Sequence, residues 1–275
     1  MISFSKGENI DYLYKFRAPN DYTLDILSKQ KLRFSYPLEF NDPFDCRIRY
    51  TYKGEKQDWQ QWFDEIKLSA KHRLFMENIL KFVNYDETAF RKRMDMQTER
   101  LLILSLSEKR DHILLWSHYA ESHKGVCFGF QTTTINNSIG IMFDEPALEW
   151  KWNRYNSPKG FLPAFKVNYT NFMPEPYSRF KDDDKRIIEF LITKHKDWHY
   201  EAERRLILPI TNVSNRYLKY NKKVLKQIIF GCRIEDKYKQ QVYHLAGEHF
   251  QGHHIEFYQA EPKEGEYSLI LNRIN

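Results

Sequence analysis

Lys194-His195-Lys196-Asp197-Trp198-His199-Tyr200-Glu201-Ala202-Glu203-Arg204-Arg205-Leu206-Ile207-Leu208 passes from a basic run, through an aromatic cluster, into apolar residues that stop at Pro209. The second half reads as a strand from Glu201 to Leu208, because an apolar run bounded by proline suits a buried strand. Residues two apart on a strand share a face, which groups Glu201, Glu203 and Arg205. Two carboxylates beside a guanidinium, approached through Trp198, His199 and Tyr200, have the composition of a site rather than a core. Upstream, Lys181 to Lys196 reads as a helix with Ile187, Ile188, Leu191 and Ile192 inward. Lys194, His195 and Lys196 then fall in its last turn, where cations suit the negative end of the helix dipole.

Outward from this stretch, short apolar or alternating runs mark further strands at Tyr12–Phe16, Leu32–Ser35, Leu101–Ser107, Val126–Phe130, Phe165–Tyr169, Val224–Phe230, Ile255–Ala260 and Tyr267–Leu271. Helices are expected after Asn20 or Asp21, after Asp111, and from Glu235 to about Ala246, since Asn and Asp cap helix starts. Lys56 to Arg100 is a charged, helix-patterned block without a Gly/Ser/Pro-rich linker on either side, and is read as a helical insertion near residues 56–100 within a single domain, 1–275. Residues 131–164 read as loop-rich, punctuated by Asn136-Asn137, Pro146, Pro158-Lys159-Gly160 and Pro163. Strands and helices interleave without a βαβ period, so the fold class is α+β, with a mixed or split β-sheet core.

The chain has 275 residues, enough for one sizeable core, and a formal net charge of +6, which is compatible with an anionic partner such as nucleic acid. No apolar run reaches the length needed to cross a bilayer, and Met1-Ile2-Ser3-Phe4-Ser5-Lys6-Gly7-Glu8 lacks a signal-peptide pattern, so a cytoplasmic protein without membrane attachment is expected. Cys46, Cys127 and Cys232 are far apart and form no Cys-x-x-Cys pair, so they are expected as buried thiols. His118 and His123 stand five apart, not the three or four that would face one metal from a helix, and no metal site is expected there.

No Gly-x-Gly-x-x-Gly, P-loop, Gly-x-Ser-x-Gly or His-Glu-x-x-His pattern occurs. The Glu201/Glu203 pair remains. Paired carboxylates suit reactions through an oxocarbenium-like state, where one stabilises the developing cation and the other handles a proton. Cleavage of the nicotinamide-ribose bond of NAD is such a reaction. The bland alternative is a solvated sheet face on which Arg205 pairs with Glu203 as an exposed neighbour at little energetic gain.

Taken in combination, Leu13-Tyr14-Lys15-Phe16-Arg17, Phe34-Ser35-Tyr36-Pro37, Phe40-Asn41-Asp42-Pro43-Phe44-Asp45, Trp116-Ser117-His118-Tyr119-Ala120, His123-Lys124-Gly125-Val126-Cys127, Lys194, Trp198, Tyr200-Glu201-Ala202-Glu203-Arg204-Arg205 and Ile228-Ile229-Phe230-Gly231 resemble the bacterial domain of unknown function 2971 family. The family name implies no activity. The order of strands and helices with a late Glu-x-Glu also resembles the ADP-ribosyltransferase superfamily and implies its fold. That resemblance implies an NAD-dependent ADP-ribosyltransferase, or an NAD glycohydrolase where no acceptor is bound. Glu203 would be the catalytic carboxylate and Glu201 the residue that orients or deprotonates the acceptor. Lys15, Arg17 and His118 would contact phosphates or ribose, and Asn41, Trp116 and Tyr119 would line the NAD pocket. A toxin or antiphage effector is implied, held in check by an antitoxin or regulatory protein, with DNA or RNA as the acceptor favoured by the basic charge. Two other classes compete: a noncatalytic nucleic-acid or ligand-binding module, and a nuclease holding magnesium through Asp42, Asp45, Glu201 and Glu203.

Overall fold

In the computed structural model, residues 10–51, 55–65, 67, 69–74, 101–145, 148, 151–152, 155–156, 158–178, 180–182, 185–209 and 215–274 are described. The class is α+β, as expected. Ten strands form one mixed sheet: β1 (Tyr12–Arg17), β2 (Leu101–Ser107), β3 (Val126–Gln131), β4 (Thr133–Ile135), β5 (Ser138–Met142), β6 (Phe161–Lys166), β7 (Glu203–Pro209), β8 (Leu225–Phe230), β9 (Glu256–Pro262) and β10 (Leu269–Ile274). Their spatial order is β10-β9-β8-β3-β1-β2-β7-β6-β5-β4. β8 and β9 run parallel, and the other neighbours in the sheet are antiparallel. Two-residue and three-residue pairings flank it, among them Asn168–Thr170 beside Thr193–His195.

β2 and β3 read as near-continuous apolar runs because both faces are covered, whereas β1 and β7 between and beside them carry Lys15, Arg17, Glu203, Arg204 and Arg205. Along β1 the side chains alternate between two cores. Leu13 joins the larger one with Phe34, Leu104, Phe128, Leu206 and Ile228. Tyr14 and Phe16 join a smaller one with Leu115, Trp116, Cys127 and Ile229. Helices α1 (Asp21–Ser28) and α5 (Asp236–His249) supply Ile26, Leu27, Val242 and Ala246 to the larger core, while α3 (Ile113–Tyr119) covers the smaller one. The Asn20 side chain accepts from Thr23 N at 3.0 Å, the expected cap of α1 and a contribution of about 1 kcal/mol. No described helix is long and apolar enough to cross a membrane.

Three expectations change. Among the described residues of the loop-rich stretch expected at 131–164, β4 and β5 form a hairpin across Asn136 and Asn137, whose φ values of 49° and 61° are those of a two-residue turn that follows strand twist. The helix expected from Lys181 to Lys196 is α4, Lys185–Leu191, and the basic residues after it leave the helix for the short strand Thr193–His195 and the 3₁₀ turn Lys196–Glu201. Glu201 therefore closes that turn, and β7 begins at Glu203. Of the helical block expected at 56–100, α2 (Lys56–Glu65) is seen, and residues 75–100 lie outside the described residues.

One joint positions everything that follows. β1 pairs with β3 over six residues, Tyr12–Arg17, and β2 with β7 over seven, but β1 and β2 meet in register only at Tyr14 and Ser107. Farther along β2, Ile103 exchanges backbone hydrogen bonds with Ser35 instead of with β1, so a split lies in the middle of the sheet.

On the β3 side the approach of the chain is close. A Cβ on Gly125 would lie 2.0 Å from the Arg17 carbonyl oxygen. We therefore predict that Gly125→Ala destabilises the fold by about 3 kcal/mol, the upper end of overpacking costs. A urea midpoint unchanged from wild type would contradict this close approach.

Candidate active site

The split between β1 and β2 opens into a cavity of about 400 Å³ lined by Tyr14, Lys15, Asn41, Asp45, Ser105, His118, Tyr119, Lys194, Glu201 and Glu203, among others. Ala202 makes the arrangement of the two glutamates. Its left-handed backbone, φ 43° and ψ 50°, turns the chain between the 3₁₀ turn and β7, so that Glu201 and Glu203 face one ammonium from different elements.

Glu203 is 5% exposed and Arg205 is wholly buried, which removes the bland alternative of a solvated sheet face with an exposed pair. Arg205 Nε and Nη2 donate to the two Glu203 oxygens at 2.7 and 2.9 Å, while Nη1 and Nη2 donate to the two Asp45 oxygens at 2.8 and 2.6 Å. Arg205 Nη1 also donates to the Leu191 carbonyl at 2.7 Å. Such fork-to-fork pairing is short, directional and charge-assisted. Lys194 Nζ donates to Glu201 Oε2 at 2.5 Å and to Glu203 Oε2 at 3.3 Å, and lies 3.6 Å from Asp45 Oδ2. The Tyr119 hydroxyl donates to the other Glu201 oxygen at 2.5 Å. The result is a buried chain, Asp45–Arg205–Glu203–Lys194–Glu201–Tyr119.

The two glutamates are driven apart electrostatically. Burial alone would raise the Glu203 carboxyl, but the Arg205 guanidinium and then Lys194 outweigh it and hold it down at about 2. Glu201 goes the other way: burial raises it, Lys194 opposes, and the Glu203 charge raises it further. Lys194 is lowered by burial but raised more strongly by Glu203, Glu201 and Asp45, and stays charged. Across the split, Lys15 Nζ donates to the Ser105 carbonyl at 2.9 Å, and burial and the neighbouring Arg17 charge lower it to about 8. One carboxylate held ionised, one carboxylate of raised proton affinity and a lysine lowered to about 8 thus share one cavity.

The depressed Glu203 value carries a sign. A carboxyl held below its ordinary 4.5 stabilises the fold above that pH, and the gain is lost as pH falls from about 4.5 toward about 2. The drop is about 3 kcal/mol at 1.36 kcal/mol per unit. Glu201, raised, works in the opposite direction and partly offsets it. Denaturant midpoints measured from pH 6 to 2 should fall more steeply for wild type than for Glu203→Gln; parallel curves would show that Glu203 is not the group that titrates.

Of the residues expected at the site, Glu203, Glu201, Lys15, Asn41, His118 and Tyr119 line this cavity. Trp116 and Arg17 are not among them. Trp116 is fully buried in the smaller core, edge-on to Phe16 at 5.1 Å, its indole N–H donating to the Arg110 carbonyl. Arg17 lines a neighbouring basic cavity of about 390 Å³ with Lys29, Lys31, Arg33, Tyr22 and Tyr217, which meets the first at Lys15. Arg17 Nε is buried and has no hydrogen-bond partner among the described residues. Lys194, expected as a helix-end charge, proves central. Asp45 was weighed as a nuclease ligand, yet its oxygens face Arg205 and Lys194, and among the described residues no group of three His, Cys, Asp or Glu is placed to hold a metal ion. Burial pushes the Cys127 thiol well up, as befits an inert thiol.

Residues 115–206 match the family model described as Protein of unknown function (DUF2971). The DUF2971 match runs from α3 to β7 and so includes His118, Tyr119, Lys194, Glu201, Glu203 and Arg205. Lys15, Asn41 and Asp45, which complete the cavity, lie outside it, as do the other early and late motifs quoted for the resemblance. No curated protein and no solved structure matches the chain. The DUF2971 description carries no activity, so the chemistry rests on the geometry of the cavity.

Proposed function

We propose that the chain is an NAD-cleaving enzyme, an ADP-ribosyltransferase that acts as an NAD glycohydrolase when no acceptor is bound. The observation that carries this reading is the pair of carboxylates in one cavity whose proton affinities are pushed in opposite directions, Glu203 down and Glu201 up. Such divergence is how acid-base roles are separated at active sites. Glu203, held ionised by Arg205, supplies fixed negative charge to the cation that develops at the ribose C1′ as the nicotinamide bond breaks. Glu201 takes the proton of the attacking nucleophile, water or an acceptor group. Its hydrogen bonds from Tyr119 and Lys194 hold it in place for that step.

The two cavities that meet at Lys15 support an elongated anionic substrate. The orphaned Arg17 Nε and the cluster of Lys15, Arg17, Lys31 and Arg33 suit its phosphates. The net charge of +6 favours a nucleic-acid acceptor over a protein. A toxin or antiphage effector restrained by an antitoxin or regulatory partner fits such an activity in a cell that needs its own NAD. The test is incubation of purified protein with NAD labelled in the adenylate half, with and without DNA or RNA. Release of nicotinamide is expected in both, with label on nucleic acid in the second. Folded protein that yields neither would end the proposal.

The second reading is a noncatalytic nucleic-acid or ligand-binding module. It is favoured by the complete bidentate pairing of Arg205 with Asp45 and Glu203, which is also what a structural ion network looks like. Salt-sensitive binding that survives Glu203→Gln, together with no NAD turnover, would select it.

A further inference from the structure

A second cavity, of about 520 Å³, adjoins the carboxylates and differs from them in character. It shares Asn41, Asp45 and Lys194 with the first, so the two meet at the ammonium that bridges Glu201 and Glu203. Its far walls are two loops, 41–47 and 170–174, together with Trp198. Phe172 is 80% exposed and Phe44 63%, and Met173 lies beside them. Single exposed apolar residues are ordinary, but three of them with Trp198 around one concave opening beside buried charge form a patch of the kind that marks interaction sites. Lys194 Nζ, which lines both cavities, lies 4.8 Å from the centroid of the Trp198 ring on the wall of the second.

The chemistry of the lining narrows the occupant. Flat aromatic walls suit a planar ring. Asn41 and Asn171 stand at the cavity with amides that both donate and accept, as the edge of a nucleobase requires. Of the charged groups at the cavity, Asp45 is taken by Arg205 and Asp42 accepts from Phe44 N, which leaves Arg47 and His195, in a chain of net charge +6, for the phosphates on either side of such a base. An apolar peptide side chain would use the aromatic walls and leave the amides and cations without a role.

We propose that this cavity takes one unpaired nucleobase of a single-stranded nucleic acid and presents it, past Lys194 and Trp198, to the carboxylates as the ADP-ribose acceptor. This rests on the NAD-cleaving reading. An N–H nitrogen of the base forms a bond to C1′, and the bond from C1′ to the nicotinamide nitrogen breaks. The electron pair leaves on neutral nicotinamide, and the base's proton passes to Glu201 and then to solvent. A base inside a duplex cannot reach such a pocket without being turned out of the stack, so single strands are preferred.

The experiment has two arms. In the first, without NAD, binding of fluorescent mixed-sequence single-stranded DNA and RNA and of the matching duplexes is measured for wild type, Phe172→Ala, Phe44→Ala and, as a control, Tyr267→Ala, which removes a fully exposed aromatic elsewhere. Loss of one stacking wall is expected to weaken single-strand binding roughly tenfold in the first two variants, with thermal unfolding unchanged, and not in the third. Equal binding by all four proteins, or duplex binding as tight as single-strand binding, overturns the proposal. In the second arm, labelled NAD is added with the same oligonucleotides. Label on single strands that Phe172→Ala reduces in step with binding supports the acceptor role; transfer that Phe172→Ala leaves intact, or label on protein instead, overturns the pocket alone. Binding that depends on Phe172 with no nicotinamide released from NAD overturns the acceptor role together with the NAD reading, and leaves a base-binding cavity.

Discussion

Glu203→Gln is expected to slow nicotinamide release from NAD by about a thousandfold while leaving a folded protein. The figure is the upper range for removing one preorganised electrostatic group from a transition state. The argument comes from the Arg205 fork. With its carboxyl near 2, Glu203 stays charged through the working pH range and has no proton to give, so its contribution is field rather than acid-base chemistry. Glutamine keeps the shape and removes the field. Glu201→Gln differs in kind: it removes the proton acceptor, and transfer to an acceptor should suffer more than hydrolysis. Steady-state rates of nicotinamide release for the two variants, with circular dichroism as the check of folding, decide the matter. A Glu203→Gln protein that cleaves NAD at the wild-type rate would remove Glu203 from the chemistry, whatever its position.

The largest effect on stability is expected at Arg205→Met. The guanidinium is wholly buried and holds two carboxylates, Asp45 and Glu203, by paired hydrogen bonds on each. Taking it away leaves buried negative charge with Lys194 as the nearest compensation, and removal of one partner of a buried pair costs about 3–5 kcal/mol. The apolar replacement is not the cause of that loss; the orphaned carboxylates are. Adding Asp45→Asn and Glu203→Gln to Arg205→Met should therefore restore most of the stability, since neutral groups of the same volume lack the desolvation penalty of ions. Urea unfolding midpoints for the single and triple variants test this. A triple variant as unstable as Arg205→Met would mean that packing of the guanidinium, and not charge balance, holds the loop at Asp45 in place.

How far the sequence carries can be judged from particular elements. β2, β3 and β8 are legible because strands buried on both faces are rich in apolar residues, broken here only by small or single polar stretches such as Ser105 and Lys226-Gln227, and α1 because Asn20 caps it. The β4–β5 hairpin was hidden. Its strands are short and carry Gly140 at a position where a side chain would strike the Leu162 carbonyl oxygen, so the composition looks like a loop. The end of α4 was misread because basic residues after an amphipathic run satisfy the dipole rule as well as they satisfy buried carboxylates. Nothing local distinguishes the two fates of Lys194. The same limit hides the role of Asp45, which stands 160 residues from Arg205 and meets it only through the fold. Glu201 and Glu203 were found for a partly mistaken reason: they come together across the left-handed Ala202, not along one strand face.

The single register point between β1 and β2 has a mechanical meaning. A sheet held by long ladders on both sides of a one-pair joint is two plates sharing a rivet, with Tyr14 and Ser107 as the rivet. Ser107 also fastens the loop behind the joint, its hydroxyl donating to the Glu201 carbonyl oxygen at 2.6 Å. The carboxylates therefore sit beside the rivet, while farther along β2 the segment after Arg33 takes the place of β1, Ser35 exchanging two backbone hydrogen bonds with Ile103. The cavity is thus closed at one end by a strand pair and at the other by an inserted segment, and its width is set by both.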